Sequence, residues 1–459
     1  MEGNAFYEQP VRRRRDHPAA GRTCGFPDAN RRRSPMPTLF RAAHVLSMDS
    51  SVGDHSPGQV LVEGDRIGAV GATVVPPSGT EVVDLPDGIL LPGFVDSHRH
   101  MWEALLRGIA PGHSLDDYLS DVLGRLAPAL GPRDLHLGTL LSARAALASG
   151  ITTVQDVSNV QESPEITDAV IAAHLESGVR TVFAYGRSFP GLMRDGFALP
   201  GDVRRVRADL LPAANGLVTM ALVTEGGDDD VERRNAGLAR DLGLRAARHL
   251  SVGKSVARLR DIGALVPGTT FIHANGVDEG ELAIIADSGG GVSVSPAVEL
   301  TMGHGYPMTS ARHHVPITLS TDVEVTVPAD MFTQMRAAYQ AGRHAEHGVH
   351  DRPGLSVRDV LRMATLAGAR VLGLGERTGS LTPGKRADLL VLRASRADVA
   401  PVLDPYSTVV LQMDRAHVDT VLVDGRTLVR NGRPLTDDAP LLGQAAEAIA
   451  RLRERAPLP

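Results

Sequence analysis

Two histidines one residue apart, His98 and His100, close an apolar run that reads Pro92-Gly93-Phe94-Val95-Asp96-Ser97-His98-Arg99-His100. In an extended segment the period of two turns both imidazoles to the same side, and two neutral imidazoles on one face make half a metal site. Three more residues of the same chemical kind end later apolar runs: His249, His273 and Asp322. If the strands that carry them are parallel and closed into a barrel, four strand ends meet at one mouth, with four histidines and a carboxylate between them. A set of that composition points to hydrolysis assisted by a metal ion.

The elements that must position these residues are legible in the alternation of apolar runs with helical stretches. Eight candidate strands follow one another: 90–96, 152–157, 180–185, 217–224, 244–249, 270–273, 291–295 and 316–322. Helical stretches between them include 138–148, 166–177, 229–242 and 278–288. Eight repeats of strand and helix predict an α/β protein with a (β/α)8 TIM barrel. Short strands with glycine turns lie outside it, at 39–46, 59–67 and 80–84 and again at 387–392 and 418–426. They predict a small β-sandwich formed from both ends of the chain. The expected organisation is a disordered leader over 1–36, the sandwich over 37–91 and 378–435, the barrel over 92–377 and a C-terminal helix or tail over 436–459.

Composition narrows the function classes. The 459 residues hold 48 basic and 54 acidic side chains, a net charge of −6, too close to neutral for a general nucleic-acid binder. One cysteine, Cys24, excludes an internal disulfide and every thiolate-cluster metal site. No apolar run reaches the length of a membrane span. These features lead us to expect a cytoplasmic protein with a small-molecule substrate, without nucleic-acid or membrane partners. The arginine runs 12–15 and 31–33 read as part of the leader, or as upstream sequence translated from a misplaced start before Met36.

Several stretches carry a resemblance to a known family. Leu91-Pro92-Gly93-Phe94-Val95-Asp96-Ser97-His98-Arg99-His100, Gly150-Ile151-Thr152-Thr153-Val154, Ile272-His273 with Asp278-Glu279, Ser320-Thr321-Asp322, 330–336 and 379–389 together resemble the amidohydrolase superfamily. The resemblance is to its cytosine-deaminase-like, chlorohydrolase and adenosylhomocysteine-deaminase branch. It implies that His98, His100, His249 and Asp322 are metal ligands, and that His273 holds the substrate or the attacked group. Three imidazoles and a carboxylate suit one Zn2+, or Fe2+, which lowers the pKa of a bound water towards neutrality while Asp322 takes its proton. Binuclear relatives bridge two metals with a fourth-strand lysine. The chain has only Lys254 and Lys385, neither in 217–225, so one metal is expected. The resemblance also makes a homodimer a reasonable expectation.

The sequence departs from that branch in one chemically important place. Its deaminases carry a proton-shuttling glutamate three residues after the fifth-strand histidine, where this chain has Val252. Glu225, at the neighbouring strand end, either replaces the missing acid or caps the helix that begins near Asp229. Trp102 either stacks on a planar substrate or packs at the barrel mouth. His304, in the run Met302-Gly303-His304-Gly305-Tyr306-Pro307, either contacts substrate or sits buried in a glycine-rich turn. Glu324 faces the mouth or is simply solvated. The leading expectation is a metal-dependent amidohydrolase that attacks an sp2 carbon of a small cyclic nitrogen compound and breaks a non-peptide C–N bond. The alternatives are ring opening, displacement of a non-amine group, or a non-catalytic scaffold.

Overall fold

A computed structural model describes residues 36–250, 255–309, 315–346 and 354–458. Residues 1–35 of the expected leader lie outside the described residues, as do Val252 and Lys254. The first strands, β1 (Thr38–Val45), β2 (Gly58–Glu63), β3 (Arg66–Gly71) and β4 (Glu81–Pro92), belong to an end sheet. The barrel strands follow: β5 (Phe94–Arg99), β6 (Ile151–Ser158), β7 (Arg180–Tyr185), β8 (Val218–Val223), β9 (Arg245–Leu250), β10 (Thr270–His273), β11 (Gly291–Val294) and β12 (Ile317–Leu319). The chain then returns to the end sheet as β13 (Leu389–Arg393), β14 (Val418–Val423), β15 (Arg426–Arg430) and β16 (Arg433–Pro434).

Strands β5 to β12 pair in sequence order and in parallel, the arrangement of a (β/α)8 barrel. Every residue of β5, β6 and β7 is buried, the polar and charged ones included, which explains why they show no inside-outside alternation. The helices start where the sequence supplies caps. Ser163 accepts from the backbone N–H of Ile166, with Pro164 opening the helix Pro164–Ser177. Asp278 does the same for the helix Glu279–Asp287. Between β12 and β5 the ring closes through the site residues themselves. The His100 N–H donates to the Asp322 carbonyl and the Asp322 N–H to that of His98, both at 3.0 Å.

The second sheet is mixed and drawn from both ends of the chain, in the order β16-β15-β14-β13-β4-β1-β2-β3. Strand β4 is its centre, parallel to β1 and antiparallel to β13. The run expected as one strand over 90–96 is split at Gly93: Leu90–Pro92 ends β4 and Phe94 begins the barrel. Only glycine fits at the break, because a Cβ there would lie 2.2 Å from the Thr152 side chain. Arg180, at the start of β7, fixes the sheet to the barrel with a bidentate pair to Asp388 at 2.7 and 3.0 Å and a further contact to Asp424. The last helix, Ala439–Arg455, packs on the helix Pro132–Ala148.

Candidate metal centre and the cavity around it

The five residues singled out by spacing do converge. The His98 ring lies 4.7 Å from that of His100, 5.0 Å from His249 and 5.7 Å from His273, centroid to centroid. Asp322 Oδ1 is 2.9 Å from His98 Nε2 and 3.8 Å from His100 Nε2, and Oδ2 is 3.7 Å from His273 Nε2. Ligand atoms of His98, His100 and His249 lie within 4.8 Å of one another, and so do those of His98, His273 and Asp322. Two of these positions take a backbone conformation that ordinary residues avoid, with φ of +68° at His273 and +60° at Asp322. Such strain is retained at strand ends where it aims a side chain that extended geometry would send elsewhere.

Ring orientation is set by groups behind the histidines. His100 Nδ1–H donates to the Val157 carbonyl at 2.7 Å, His249 Nδ1–H to Glu225 Oε1 at 2.7 Å and His273 Nδ1–H to Glu299 Oε1 at 3.0 Å. In each of these rings Nδ1 is occupied and Nε2 is the nitrogen left to face the cluster, while Glu299 and Asp322 outweigh burial and push the pKa of His273 up. Burial pushes His98 well below the ordinary imidazole range and His100 down to about 4, so both stay neutral. Burial disfavours the Asp322 carboxylate, but the neighbouring His98 and His273 outweigh it and hold the group below the usual carboxylate range. Neutral imidazoles around an ionised carboxylate, in a buried and pre-oriented cluster, are the donor set of a divalent metal.

Arg99, between the two histidines, is completely buried and points into a charge cluster rather than the mouth. It donates to Glu324 at 2.7 Å and to Asp96 at 3.4 Å. Glu324 also accepts from Ser142 at 2.7 Å and from Arg107. Glu324 is thus neither solvated nor facing substrate: two guanidiniums hold it in the wall of the barrel.

Beside the cluster lies a cavity of about 250 Å3, large enough for a compact ring compound. Its apolar wall includes Leu119, Leu123, Phe189, Phe197 and Met302, and its polar lining includes His100, His249, His273, Asp322, Glu225 and His304. His304 lines the cavity, with its ring centroid 4.5 Å from that of His273. Glu225 does not cap the following helix. Asp228 does that, accepting from the N–H groups of Asp230 and Val231, while Glu225 carries His249. For Trp102 the structure agrees with the packing alternative rather than the stacking one. Trp102 is fully buried and absent from the cavity wall, and its indole N–H donates to Asn159 Oδ1 at 3.0 Å. Lys385 is absent from the cavity lining and is bonded to Ser380 and the Gly375 carbonyl.

Sequence reasoning missed Glu299, Asn275, Asn159 and Tyr118. Glu299 supports His273 through Oε1 and takes a bond from Asn275 Nδ2 at 3.0 Å through Oε2. Tyr118 lines the cavity and donates to the buried Glu103 at 2.6 Å. The available signal was position: Asn159 and Asn275 each stand one or two residues past a strand end.

A parallel barrel with this cluster at its mouth defines a metal-dependent hydrolase, and comparison with known proteins names the family. The amidohydrolase family model matches residues 89–209 and 217–428, and the chain belongs to that family. It is 29% identical over 412 residues to a 5'-deoxyadenosine deaminase of Methanothermobacter thermautotrophicus, covering 86% of this chain and 94% of that one. It is 28% identical over 439 residues to a 5-methylthioadenosine/S-adenosylhomocysteine deaminase of Symbiobacterium thermophilum, covering 91% and 98%. Among solved structures it is similar to a zinc-bound adenosine deaminase of Xanthomonas campestris, with TM-score 0.76, 24% identity and coverage of 91% and 99%. It is also similar to the atrazine chlorohydrolase of Arthrobacter aurescens TC1 complexed with zinc, with TM-score 0.79, 24% identity and coverage of 90% and 100%. The protein is a hydrolase of non-peptide carbon–nitrogen bonds, with a site for a divalent metal. Among the described residues no helix is long and apolar enough to cross a membrane.

Proposed function

We propose that this protein is a zinc-dependent deaminase of small nitrogen heterocycles, of the nucleobase or nucleoside type on which its named relatives act. The observation that carries the reading is the convergence of His98, His100, His249 and Asp322, with Nδ1 of His100 and His249 anchored from behind so that Nε2 faces inward. These four residues would hold the metal. When bound, it supplies Lewis acidity that makes water a nucleophile at neutral pH. Asp322 accepts the proton that the water gives up, and His273, fixed by Glu299, hydrogen-bonds the group at the attacked carbon. The apolar wall of Leu119, Leu123, Phe189, Phe197 and Met302 excludes solvent from the ring.

Val252, standing where the branch has its shuttling glutamate, favours a second reading in which a better leaving group than an amine is displaced. One experiment separates the two. Protein purified without added metal is assayed for zinc and iron, then for ammonia and chloride release from 5'-deoxyadenosine, methylthioadenosine, cytosine, guanine and chlorinated triazines. About one metal per chain with ammonia release, abolished in Asp322→Asn, supports deamination. Chloride release without ammonia supports displacement. A chain that neither holds nor rebinds metal overturns both.

A further inference from the structure

Two asparagines line the cavity, and the protein forces their amides to face it in opposite senses. Asn159 uses Oδ1 to accept the Trp102 indole N–H at 3.0 Å. That N–H can only donate, so the oxygen is committed and the Nδ2 donors are the end left over, without a partner among the described residues. Asn275 is the reverse. Its Nδ2 donates to Glu299 Oε2 and to the Tyr306 carbonyl, each at 3.0 Å. Both partners only accept, so Oδ1 is the end left over, again without a partner among the described residues. Asn275 is 3% exposed, so this carbonyl has little access to bulk water.

Their places in the barrel give the pair its meaning. Asn159 follows β6, the second barrel strand, and Asn275 follows β10, the sixth. In a ring of eight, four strands apart is across the mouth, so the two amides stand on opposite sides of the histidine cluster. Several other polar groups of the wall are committed within the protein, although His304 Nε2 and Arg187 Nε are buried without a partner among the described residues. Arg187 is held by Asp195 at 2.6 Å and by the Gln161 carbonyl at 3.0 Å, His249 by Glu225, and His273 by Glu299.

We infer that Asn159 and Asn275 read the substrate ring from its two ends, and that the substrate is a planar nitrogen heterocycle with an acceptor (carbonyl oxygen or bare ring nitrogen) at one end and an N–H donor at the other. Asn159 Nδ2 donates to the acceptor, Asn275 Oδ1 accepts from the N–H, and the attacked carbon lies between them over the metal residues. A site built to pair with an N–H rejects the analogue that lacks it, because the carbonyl is then buried without a partner. Trp102 acts at one remove, as the residue that fixes the sense of Asn159. The inference rests on this cavity being the substrate site of the hydrolase reading.

The test uses zinc-loaded full-length protein and calorimetric titration with uracil, hypoxanthine and 1,3-dimethyluracil, the last keeping both carbonyl acceptors but no N–H. Uracil should bind at least about tenfold more tightly than its dimethyl form. Asn275→Leu should abolish that preference. Asn159→Asp, which keeps an oxygen for Trp102 and replaces donors by an acceptor, should weaken both ligands. The comparison of ligands on unaltered protein needs no variant to fold. Equal binding of uracil and 1,3-dimethyluracil, binding of neither uracil nor hypoxanthine, or an undiminished preference in Asn275→Leu would each overturn the inference. Metal content and ammonia release on the same preparation keep its failure apart from that of the hydrolase reading: a metal-bound, ammonia-releasing enzyme whose asparagine variants turn over unchanged rejects only the asparagine code.

Discussion

The carboxylate of Glu299 stands behind His273, with Oε1 3.0 Å from the ring's Nδ1 and the whole side chain out of contact with solvent. It also accepts the backbone N–H of Ser295 at 2.8 Å and the amide of Asn275. One buried acid on the short helix Pro296–Met302 therefore sets the aim of a ring and an amide that face the cavity.

Replacing Glu299 should damage turnover without removing the metal. Loss of a supporting partner of this kind costs about 10–100-fold in activity. Glu299→Gln, which keeps one acceptor, should fall less in kcat than Glu299→Ala. Elemental analysis should still find metal in both variants, since His273 is outside the proposed ligand set. A metal-free Glu299→Gln protein would place His273 among the ligands.

Glu225 plays the matching part for His249, and here the metal itself is the readout. Its carboxylate takes both the ring Nδ1–H and the backbone N–H of His249. Glu225→Ala should weaken zinc binding by about 10–100-fold, measured by competition with a chelator, and Glu225→Gln by less. An unchanged affinity in Glu225→Ala would show that His249 needs no support.

The cluster around Arg99 predicts a large stability effect. Arg99 and Asp96 are fully buried, and Glu324 is 5% exposed. Burial works against the Glu324 charge, but Arg99 and Arg107 outweigh it and hold the carboxyl below its ordinary range. Glu324→Ala leaves a buried guanidinium short of a partner, which costs about 3–5 kcal/mol. Denaturant unfolding should detect the loss. Glu324→Gln, which keeps an acceptor for the groups around it, should lose less than Glu324→Ala.

Glu103 predicts how stability varies with pH. Burial raises its pKa well above the ordinary 4.5, and the Tyr118 hydroxyl offsets this only in part. The folded chain thus keeps a proton that the unfolded chain loses once the pH passes 4.5. Through that interval the native state binds more protons, so this residue makes stability fall as pH rises. Glu103→Gln removes the titration and keeps an acceptor for Tyr118. Its melting temperature should gain on the parent as pH is raised from about 4.5 towards 8, and a constant difference would refute the assignment.

How far the sequence could be read differs from residue to residue. His98 and His100 were legible because strand periodicity is local, and the ends of β7 and β10 were read to the residue because apolar runs stop where the chain turns. His249, His273 and Asp322 could be paired with them because strand order in a parallel barrel fixes who meets at the mouth. For Trp102 the sequence left two readings open for a related reason. Adjacency to His100 says nothing of side, and the tight helical turn 101–106 that follows rotates the indole inward, towards Asn159.

The sequence by itself determined the barrel, the presence of strands from both chain ends outside it and the set of metal-type side chains, because these depend on burial patterns and chain order, whereas the expected sandwich is one mixed sheet. Only the tertiary structure decided what stands behind each functional ring. Glu299 reads along the chain as an ordinary helical acid and Glu225 as an ordinary cap, and neither carries a local mark of its partner. Hydrogen bonds between different strand ends made them supports for His273 and His249, and separate bonds from Trp102 to Asn159 and from Asn275 to Glu299 set which way each amide points. Those are distance and direction relations between segments far apart in sequence, and they exist only once the barrel has closed.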